Sequence, residues 1–223
     1  MTIKEKFNRT IDYFQRNFPS PETELAYRNP FELLVAVILS AQCTDKRVNI
    51  ITPPLMIKYP DAESMAKAEP EEIFEFIKSC TYPNNKAKHL SRMSQMLISE
   101  FGGKIPSEPE ILQSLPGVGR KSANVIASVV FKKPVMAVDT HVFRVSHRIG
   151  LVKNAKTPLM VELQLTRHIP TGLIHEAHHW LILHGRYVCK ARNPLCTKCG
   201  LSEFCNYYQK NRNKKNKIEK KIN

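Results

Sequence analysis

The sequence predicts an all-α protein, and three observations carry that prediction. Apolar residues recur at steps of three and four along most of the chain, which is the period of an amphipathic helix. No segment alternates between apolar and polar residues in the way that is typical of a half-buried strand. Prolines stand at many of the places where one apolar run gives way to the next. We therefore expect about ten helices joined by short loops.

The first three predicted helices differ in how they are buried. The N-terminal helix has one apolar face and ends at prolines 19 and 21; this face consists of Ile3, Phe7, Ile11, Phe14 and Phe18. The next, from Phe31 to about Gln42, is apolar on all sides, so it is expected to be the central core helix. The third begins with an Asp45 cap and is predicted to end at Pro53-Pro54, because proline removes a helical hydrogen bond.

The remaining predicted helices have recognisable ends. One opens at Pro70, and another follows Asn84-Asn85 and closes at Gly102-Gly103. After a short extended link from residue 134, a helix runs from Asp139 to Gly150. Two more follow, one beginning at residues 157–158 and the last running from residue 172 to about residue 184.

Between these two groups of helices lies a turn, Leu-Pro-Gly-Val-Gly-Arg-Lys-Ser-Ala over residues 115–123. Gly117 and Gly119 permit positive φ and close approach, and a new helix is predicted to begin near Gly119. A helix N-terminus favours anions, and Arg120 and Lys121 add positive charge beside it. We interpret residues from about 108 to 131 as a helix–hairpin–helix whose backbone amides bind a phosphate. The alternative is an ordinary helical hairpin with solvated basic residues.

Charge favours a polyanionic partner. The 223 residues carry a net charge of +14. The tail, residues 209–223, contributes much of this charge and is predicted to be disordered. The charge that remains on the folded part indicates a nucleic acid. No apolar run is long enough to span a bilayer and no secretory signal opens the chain, so we expect a cytoplasmic protein without a membrane partner.

Four of the six cysteines form a compact group. Cys189, Cys196, Cys199 and Cys205 have the spacing C-x6-C-x2-C-x5-C. A site of four cysteines holds either zinc or an iron–sulfur cluster, and the single CxxC pair favours the cluster. Cys43 and Cys80 lie far away in the sequence and are predicted to be core residues of apolar helices.

Three motifs in this order resemble a known family. They are Leu-Pro-Gly-Val-Gly-Arg-Lys, Val-Asp-Thr-His-Val at 138–142 and the cysteine run. Together they are similar to the endonuclease III family of helix–hairpin–helix DNA glycosylases, which carry a Gly-Pro…Asp motif. The resemblance implies a bifunctional base-excision enzyme that removes oxidised pyrimidines from duplex DNA and cleaves the strand at abasic sites. It further implies a monomer that acts at the nucleoid.

The same resemblance implies an architecture. Residues 20–133 would form a six-helix barrel lobe that contains the hairpin. Residues 1–19 and 134–208 would form a second lobe, with the DNA site in a cleft between the two. In the second lobe, a [4Fe-4S] cluster would be bound by the four cysteines named above.

Catalytic roles are implied for two residues. Lys121 would be the nucleophile that attacks C1′ and forms a Schiff base, after which β-elimination cuts 3′ to the abasic site. Asp139 would help to deprotonate the amine and stabilise positive charge on the sugar. Asp139 is equally suited to cap the helix that follows it, and the two roles are compatible.

A wider set of residues is predicted to contact DNA. Gln42 has a family counterpart that fills or reads the gap left by the flipped nucleotide, although a helix cap is the alternative. Where the family has an aliphatic wedge, this chain has Thr81-Tyr82-Pro83, which puts the preference for the opposite base in question. The full set of predicted contacts is Gln42, Tyr82, Lys86, Gly117, Val118, Gly119, Arg120, His141 and Arg144.

Three other functions compete with this interpretation. A monofunctional adenine glycosylase would have an acid in the core helix and Ser or Tyr at position 121, whereas residues 33–40 contain no acid and position 121 is lysine. A non-catalytic helix–hairpin–helix module would lack Lys121 or Asp139. A metalloprotease is suggested by His175-Glu176-Ala177-His178-His179, which satisfies H-E-x-x-H, but no third-ligand motif follows.

Overall fold

The computed structural model describes residues 1–212, and all regular elements in this range are helical. The all-α prediction is confirmed for these residues. They contain eleven named α-helices: α1 (Ile3–Asn17), α2 (Pro30–Ser40), α3 (Asp45–Lys58), α4 (Ala62–Ala66), α5 (Pro70–Ile77), α6 (Pro83–Phe101), α7 (Pro109–Leu112), α8 (Arg120–Phe131), α9 (Thr140–Ile149), α10 (Pro158–His168) and α11 (Ile174–Tyr187). Short 3₁₀ turns cover Thr171–Leu173 and Cys196–Lys198. Across the described residues, each helix is too short or too polar to cross a bilayer.

The chain divides into two compact units. One is Thr23–Lys133, which contains α2 to α8. The other joins Met1–Glu22 to the chain from Pro134 onward, and it contains α1 and α9 to α11.

In the unit Thr23–Lys133, α2 is the central helix. All residues from Leu33 to Leu39 are buried, and α2 packs against α3, α6 and α8. Asn29 caps its first turn through a hydrogen bond from the Glu32 amide. Around it, α6 packs against both α4 and α5. The apolar sequence of α2 therefore corresponds to a helix with protein on every side.

In the other unit, α1 is held by residues far away in the chain. Phe14 stacks on Trp180, with ring centroids 5.8 Å apart, and the Trp180 indole N–H donates to the Phe18 carbonyl at 2.7 Å. The buried Lys6 ammonium donates to the Ile149 carbonyl at 3.0 Å and to the Asn206 side chain at 2.6 Å. These contacts join the start of the chain to α9, α11 and the segment after the cysteines.

The prediction that α3 ends at Pro53-Pro54 is wrong, because the helix continues to Lys58. Its buried face includes Val48 and Leu55 on either side of the prolines, so packing holds the helix together through them. Pro54 has no N–H, so it cannot donate the helical hydrogen bond to the Ile50 carbonyl. Ile50 is exposed, and water can supply the missing hydrogen bond. The cap also differs, since Thr44 rather than Asp45 accepts the hydrogen bond that opens the helix.

Three further boundaries differ from the sequence prediction. Helix α2 ends at Ser40, which leaves Gln42 outside it with a left-handed backbone. Helix α6 begins at Pro83, because proline is favoured at the first helical position, where its missing N–H costs nothing. The tail was predicted to be disordered from residue 209, but residues 206–212 are helical; the rest of that prediction lies outside the described residues.

Candidate active site and metal centre

The turn at the centre of the hairpin requires its glycine. The Val118 amide donates to the Leu115 carbonyl at 3.0 Å, with Pro116 and Gly117 between them. Gly117 has φ +82°, and this order of proline and glycine is the pattern of a type II turn. A Cβ at Gly117 would lie 2.9 Å from the Cβ of His89 on α6. Both backbone conformation and space therefore exclude a side chain here.

Helix α8 begins directly after this turn. Gly119 is its N-cap and has no side chain to cap the first amides. Arg120 and Lys121 are the first two helical residues, and both are exposed. The structure thus places the predicted nucleophile beside an uncapped helix N-terminus. Val118 is different, because its side chain is buried and its amide is used in the turn, so its predicted DNA contact is corrected to a structural role.

Asp139 is the N-cap of α9, as the sequence predicts. Its Oδ1 accepts hydrogen bonds from the amides of His141 and Val142, each at 2.8 Å. Its Oδ2 lies 2.9 Å from Nδ1 of His141. Only 13% of the Asp139 side chain is exposed, so the carboxylate is held in one orientation by three contacts from its own helix. Capping is therefore one role of this residue, and His141 is its direct partner.

Gln42 and Tyr82 form a second feature of the unit Thr23–Lys133. Both are exposed and both have left-handed backbones, with φ values of 55° and 54°. The Thr81 hydroxyl donates to the Gln42 carbonyl, which joins the two segments. A non-glycine residue in this conformation costs on the order of 1–3 kcal/mol, and such strain is typical of ligand-contacting sites. The structure therefore brings together two of the predicted DNA contacts.

Lys86 does not face solvent, and its predicted phosphate contact is wrong. Its side chain is 5% exposed, and its ammonium donates to the carbonyls of Leu39 at 2.8 Å and Ala41 at 2.7 Å. These carbonyls lie at the C-terminal end of α2, where a cation is favourable. Lys86 therefore caps the C-terminal end of α2 and holds the backbone that leads into Gln42.

Arg144 is half-buried and has partners within its own unit, and its predicted DNA contact stays a prediction. Its guanidinium donates to the carbonyls of Cys189 at 3.1 Å and Gly185 at 2.9 Å, so it closes the end of α11. Arg148, one turn further along α9, donates to the carbonyls of Lys190 at 2.7 Å and Ala191 at 3.0 Å. Arg148 was not among the residues predicted from the sequence. Its signal was the spacing of four residues from Arg144, which places both on one face of the helix.

The four cysteines of the run line one pocket, together with apolar side chains such as Ile149, Leu195 and Leu201. Burial raises the pKa of the Cys199 thiol to about 11, and burial also raises the pKa of Cys196 and of Cys205. Metal ligation requires thiolates, so loading this site releases protons. Four sulfur donors in an otherwise apolar cavity suit a sulfur-bound metal centre.

The donor set fits either of the two centres that the spacing left open, because thiolates bind both zinc and iron–sulfur clusters. Within residues 1–212, no three His, Cys, Asp or Glu side chains converge as ligands of one ion. The family comparison below decides between the two centres.

The same observation bears on the H-E-x-x-H motif in α11. His179 is buried and stacks edge-on against the ring of His175, with centroids 4.9 Å apart. His178 is buried as well, and its Nδ1 lies 2.9 Å from the Ala137 carbonyl. His175 and Glu176 are half-buried. These side chains pack α11 into its unit and do not form a zinc site.

Comparison with known proteins gives two family matches. Residues 35–171 match the model of the HhH-GPD superfamily of base excision DNA repair proteins. Residues 189–205, which begin and end with the outer cysteines of the run, match the iron–sulfur binding domain of endonuclease III.

Whole-chain relatives agree with these matches. Endonuclease III of Rickettsia conorii is 49% identical over 90% of this chain and 95% of its own length. Endonuclease III of Bacillus subtilis is 46% identical over 94% of this chain and 95% of its own length. The solved structure of a trapped endonuclease III–DNA covalent intermediate has a TM-score of 0.89 at 42% identity, covering 95% of this chain and 100% of that one.

The fold and the hairpin place this protein in the class of HhH-GPD base excision repair proteins, a class of DNA glycosylases. Relatives that align over nearly the full length narrow the assignment. The chain belongs to the endonuclease III family, whose members combine DNA glycosylase and abasic-site lyase activities and carry a [4Fe-4S] cluster. The family, enzyme class and cofactor expected from the sequence are thereby confirmed.

Proposed function

We propose that this enzyme removes oxidised pyrimidines from duplex DNA, with Lys121 as the nucleophile. One observation carries the assignment. Lys121 is exposed on the first turn of α8, directly after the glycine turn, in a chain that aligns over 95% of its length with an enzyme trapped in a covalent DNA complex. A covalent complex needs a nucleophile at the DNA-binding surface, and an exposed amine beside a phosphate-binding turn meets that requirement.

The proposed reaction proceeds in two stages at this amine. The Lys121 amine attacks C1′ of the flipped nucleotide, the glycosidic bond breaks, and the base leaves. The sugar ring opens to a Schiff base, and loss of a C2′ proton then expels the 3′ phosphate. The flip itself costs a few kcal/mol, and least for a damaged base that stacks poorly.

Asp139 is assigned as the carboxylate of this reaction. Its contacts with the His141 and Val142 amides and with the His141 ring fix its orientation before substrate binds. A carboxylate held in this way accepts a proton without reorganising and stabilises positive charge that develops on the sugar. His141 thus acts through Asp139, as a positioning residue.

Two surfaces of the unit Thr23–Lys133 are assigned to DNA. The hairpin, through the backbone of Gly117 and Gly119 and the side chain of Arg120, contacts a phosphate. Gln42 and Tyr82 enter the gap left by the flipped nucleotide, where an aromatic ring stacks on the neighbouring bases. An aromatic residue in place of an aliphatic wedge alters the preference for the opposite base.

The cysteines Cys189, Cys196, Cys199 and Cys205 are assigned as the cluster ligands. The cluster supplies folding free energy to a segment that has little core of its own. The loops between these ligands carry the exposed Lys190, Arg192 and Lys198, which are held ready for phosphate contacts.

We assign residues 20–133 to the barrel lobe of the family, and residues 1–19 with 134–208 to its cluster lobe. One flipped nucleotide needs one active site, so the enzyme is proposed to act as a monomer. Its substrate places it with the chromosomal DNA of the cytoplasm. Light scattering after gel filtration tests the oligomeric state.

Borohydride trapping on a duplex with one thymine glycol tests the nucleophile. Wild-type enzyme is expected to form a covalent adduct, because borohydride reduces the Schiff base. Lys121→Gln is expected to abolish the adduct while it still binds the duplex. The matched control is Lys67→Gln in the same unit, since Lys67 is exposed and its ion pair is with Glu63, four residues earlier.

An adduct of undiminished yield with Lys121→Gln would reduce Lys121 to a phosphate contact. An adduct on abasic DNA but none on thymine glycol would retain the lyase step and reject oxidised pyrimidines as the substrate.

A further inference from the structure

Two cysteines outside the cluster lie together in the unit Thr23–Lys133. The Sγ atoms of Cys43 and Cys80 are 3.6 Å apart, although the residues are separated by 37 positions, and both are free thiols. From the sequence, both were predicted to lie in apolar helices. Instead, Cys43 lies in the loop between α2 and α3, and Cys80 lies in the loop between α5 and α6. Loop residues can move relative to each other more readily than residues fixed in helices.

The two thiols have different surroundings. Cys43 is half-buried, whereas Cys80 is buried, so Cys43 is the one that a small solute reaches more readily. Burial, with the neighbouring Cys43 sulfur, raises the pKa of Cys80 to about 11, so Cys80 is a protonated thiol near neutral pH. A disulfide needs its sulfurs about 2.05 Å apart, and the pair reaches that separation with a small movement of two loops.

We propose that Cys43 and Cys80 are a redox modification site, at which peroxide forms a reversible disulfide that weakens binding of damaged DNA. The effect on DNA rests on the function proposed above, while formation of the bond does not. The family's cluster is not involved, because both cysteines lie in the unit that contains none of the four cluster cysteines.

The oxidation takes place in two steps. The Cys43 sulfur attacks one peroxide oxygen, the O–O bond breaks, and the products are a sulfenic acid on Cys43 and one water. The Cys80 sulfur then attacks the Cys43 sulfur, the S–O bond breaks, and the departing hydroxide takes the Cys80 proton as a second water. Two thiols are oxidised and one peroxide is reduced, and a dithiol reductant reverses the reaction.

The consequence for DNA follows from the neighbours of the two cysteines. Cys43 directly follows Gln42, and Cys80 is followed by Thr81 and Tyr82. Gln42 and Tyr82 both have strained left-handed backbones, and the Thr81 hydroxyl joins their segments through the Gln42 carbonyl. A disulfide pulls both segments from one side, so it displaces the two side chains that are assigned to the gap in DNA.

Peroxide treatment of the cluster-containing enzyme tests the bond. After oxidation, remaining thiols are alkylated and the protein is digested without reductant. Mass spectrometry is expected to find a peptide pair joined through Cys43 and Cys80, lighter by two hydrogen atoms than the separate peptides. The visible absorption of the cluster is recorded throughout, so that the comparison uses enzyme with an intact cluster.

Binding is then measured on a duplex with an abasic-site analogue. Oxidation is expected to weaken binding about tenfold, the size of one lost stacking contact, and dithiothreitol is expected to restore it. The control is Cys43→Ser, a conservative change at a half-buried position. This variant is expected to bind the duplex like the reduced enzyme, and its affinity should not change with peroxide. Cys80→Ala, which removes the other sulfur, is expected to behave in the same way.

Three results would overturn the proposal. They are recovery of Cys43 as an alkylated free thiol after peroxide, a cross-link that leaves affinity unchanged, and an equal loss of affinity in Cys43→Ser. A reduced enzyme that cannot be trapped on thymine glycol would instead count against the proposed substrate, because the cross-link is detected without DNA.

Discussion

Replacing Lys86 by methionine separates the structural role of this residue from the phosphate contact that the sequence suggested. The change keeps the length of the side chain but removes the ammonium, which leaves the carbonyls of Leu39 and Ala41 without this donor. Each hydrogen bond to a charged group is worth about 1.5–3 kcal/mol, so losing both should lower the free energy of unfolding by about 3–6 kcal/mol. For a chain of this size, that corresponds to a fall in Tm of about 6–24 °C.

Two measurements distinguish the roles. Thermal unfolding, followed by circular dichroism, reports the stability change, with Lys88→Met as the matched control because Lys88 is exposed on the same helix. The control is expected to stay within about 0.5 kcal/mol of wild type. The salt dependence of DNA binding reports phosphate contacts, since losing one lowers the slope by about 1. An unchanged Tm with a reduced slope would refute the interior position of Lys86.

Three further outcomes are expected. Gly117→Ala should cost about 1–3 kcal/mol and weaken DNA binding in a gel-shift assay, because φ is positive and His89 fills the space; an unaffected variant would show that the turn has another conformation. Asp139→Asn should keep the helix cap, and hence Tm within about 1 kcal/mol, but lose most strand cleavage; full activity would remove the carboxylate from the mechanism. Burial works against ionisation of Glu32, but hydrogen bonds from Arg28 outweigh it and lower the pKa of Glu32. Its stabilising effect is therefore complete above its unfolded pKa of about 4.5 and is lost as pH falls through the lower folded value. In urea unfolding, the free energy of unfolding of Glu32→Gln should therefore differ less from that of wild type below that pH than at pH 7. A difference that stays constant with pH would contradict this role of Glu32.

The sequence predicts local features well where one residue type decides the geometry. Gly117 is required by its turn, and Asp139 caps α9 through two amides, so both were readable from short motifs. The sequence does not predict features that depend on packing between distant parts of the chain. The α3 helix passes through Pro53 and Pro54 because its buried face holds it, and no local pattern reveals that face's partner.

Basic residues show the same limit more clearly. Lys86 and Arg144 were predicted to contact DNA because each carries a positive charge near a predicted site. In the structure both donate to carbonyls at the ends of helices, α2 and α11 respectively, and Lys86 is buried by this. Which carbonyls come within reach depends on how the helices pack, and pairs separated by more than 40 positions leave no signature in the spacing of the sequence.

The contacts of α1 determine when this helix can be completed during synthesis. Its partners Trp180 and Asn206 lie 162 and 200 positions after the residues they bind. A ribosome that adds about 5–20 residues per second produces the last of these partners about 10–40 s after the first turn of α1 has been made. The unit Thr23–Lys133 lies wholly within that interval and contains all of its own core. The apolar face of α1 therefore lacks its packing partners while the middle of the protein is synthesised. A chaperone that binds exposed apolar surface would bind α1 during this period.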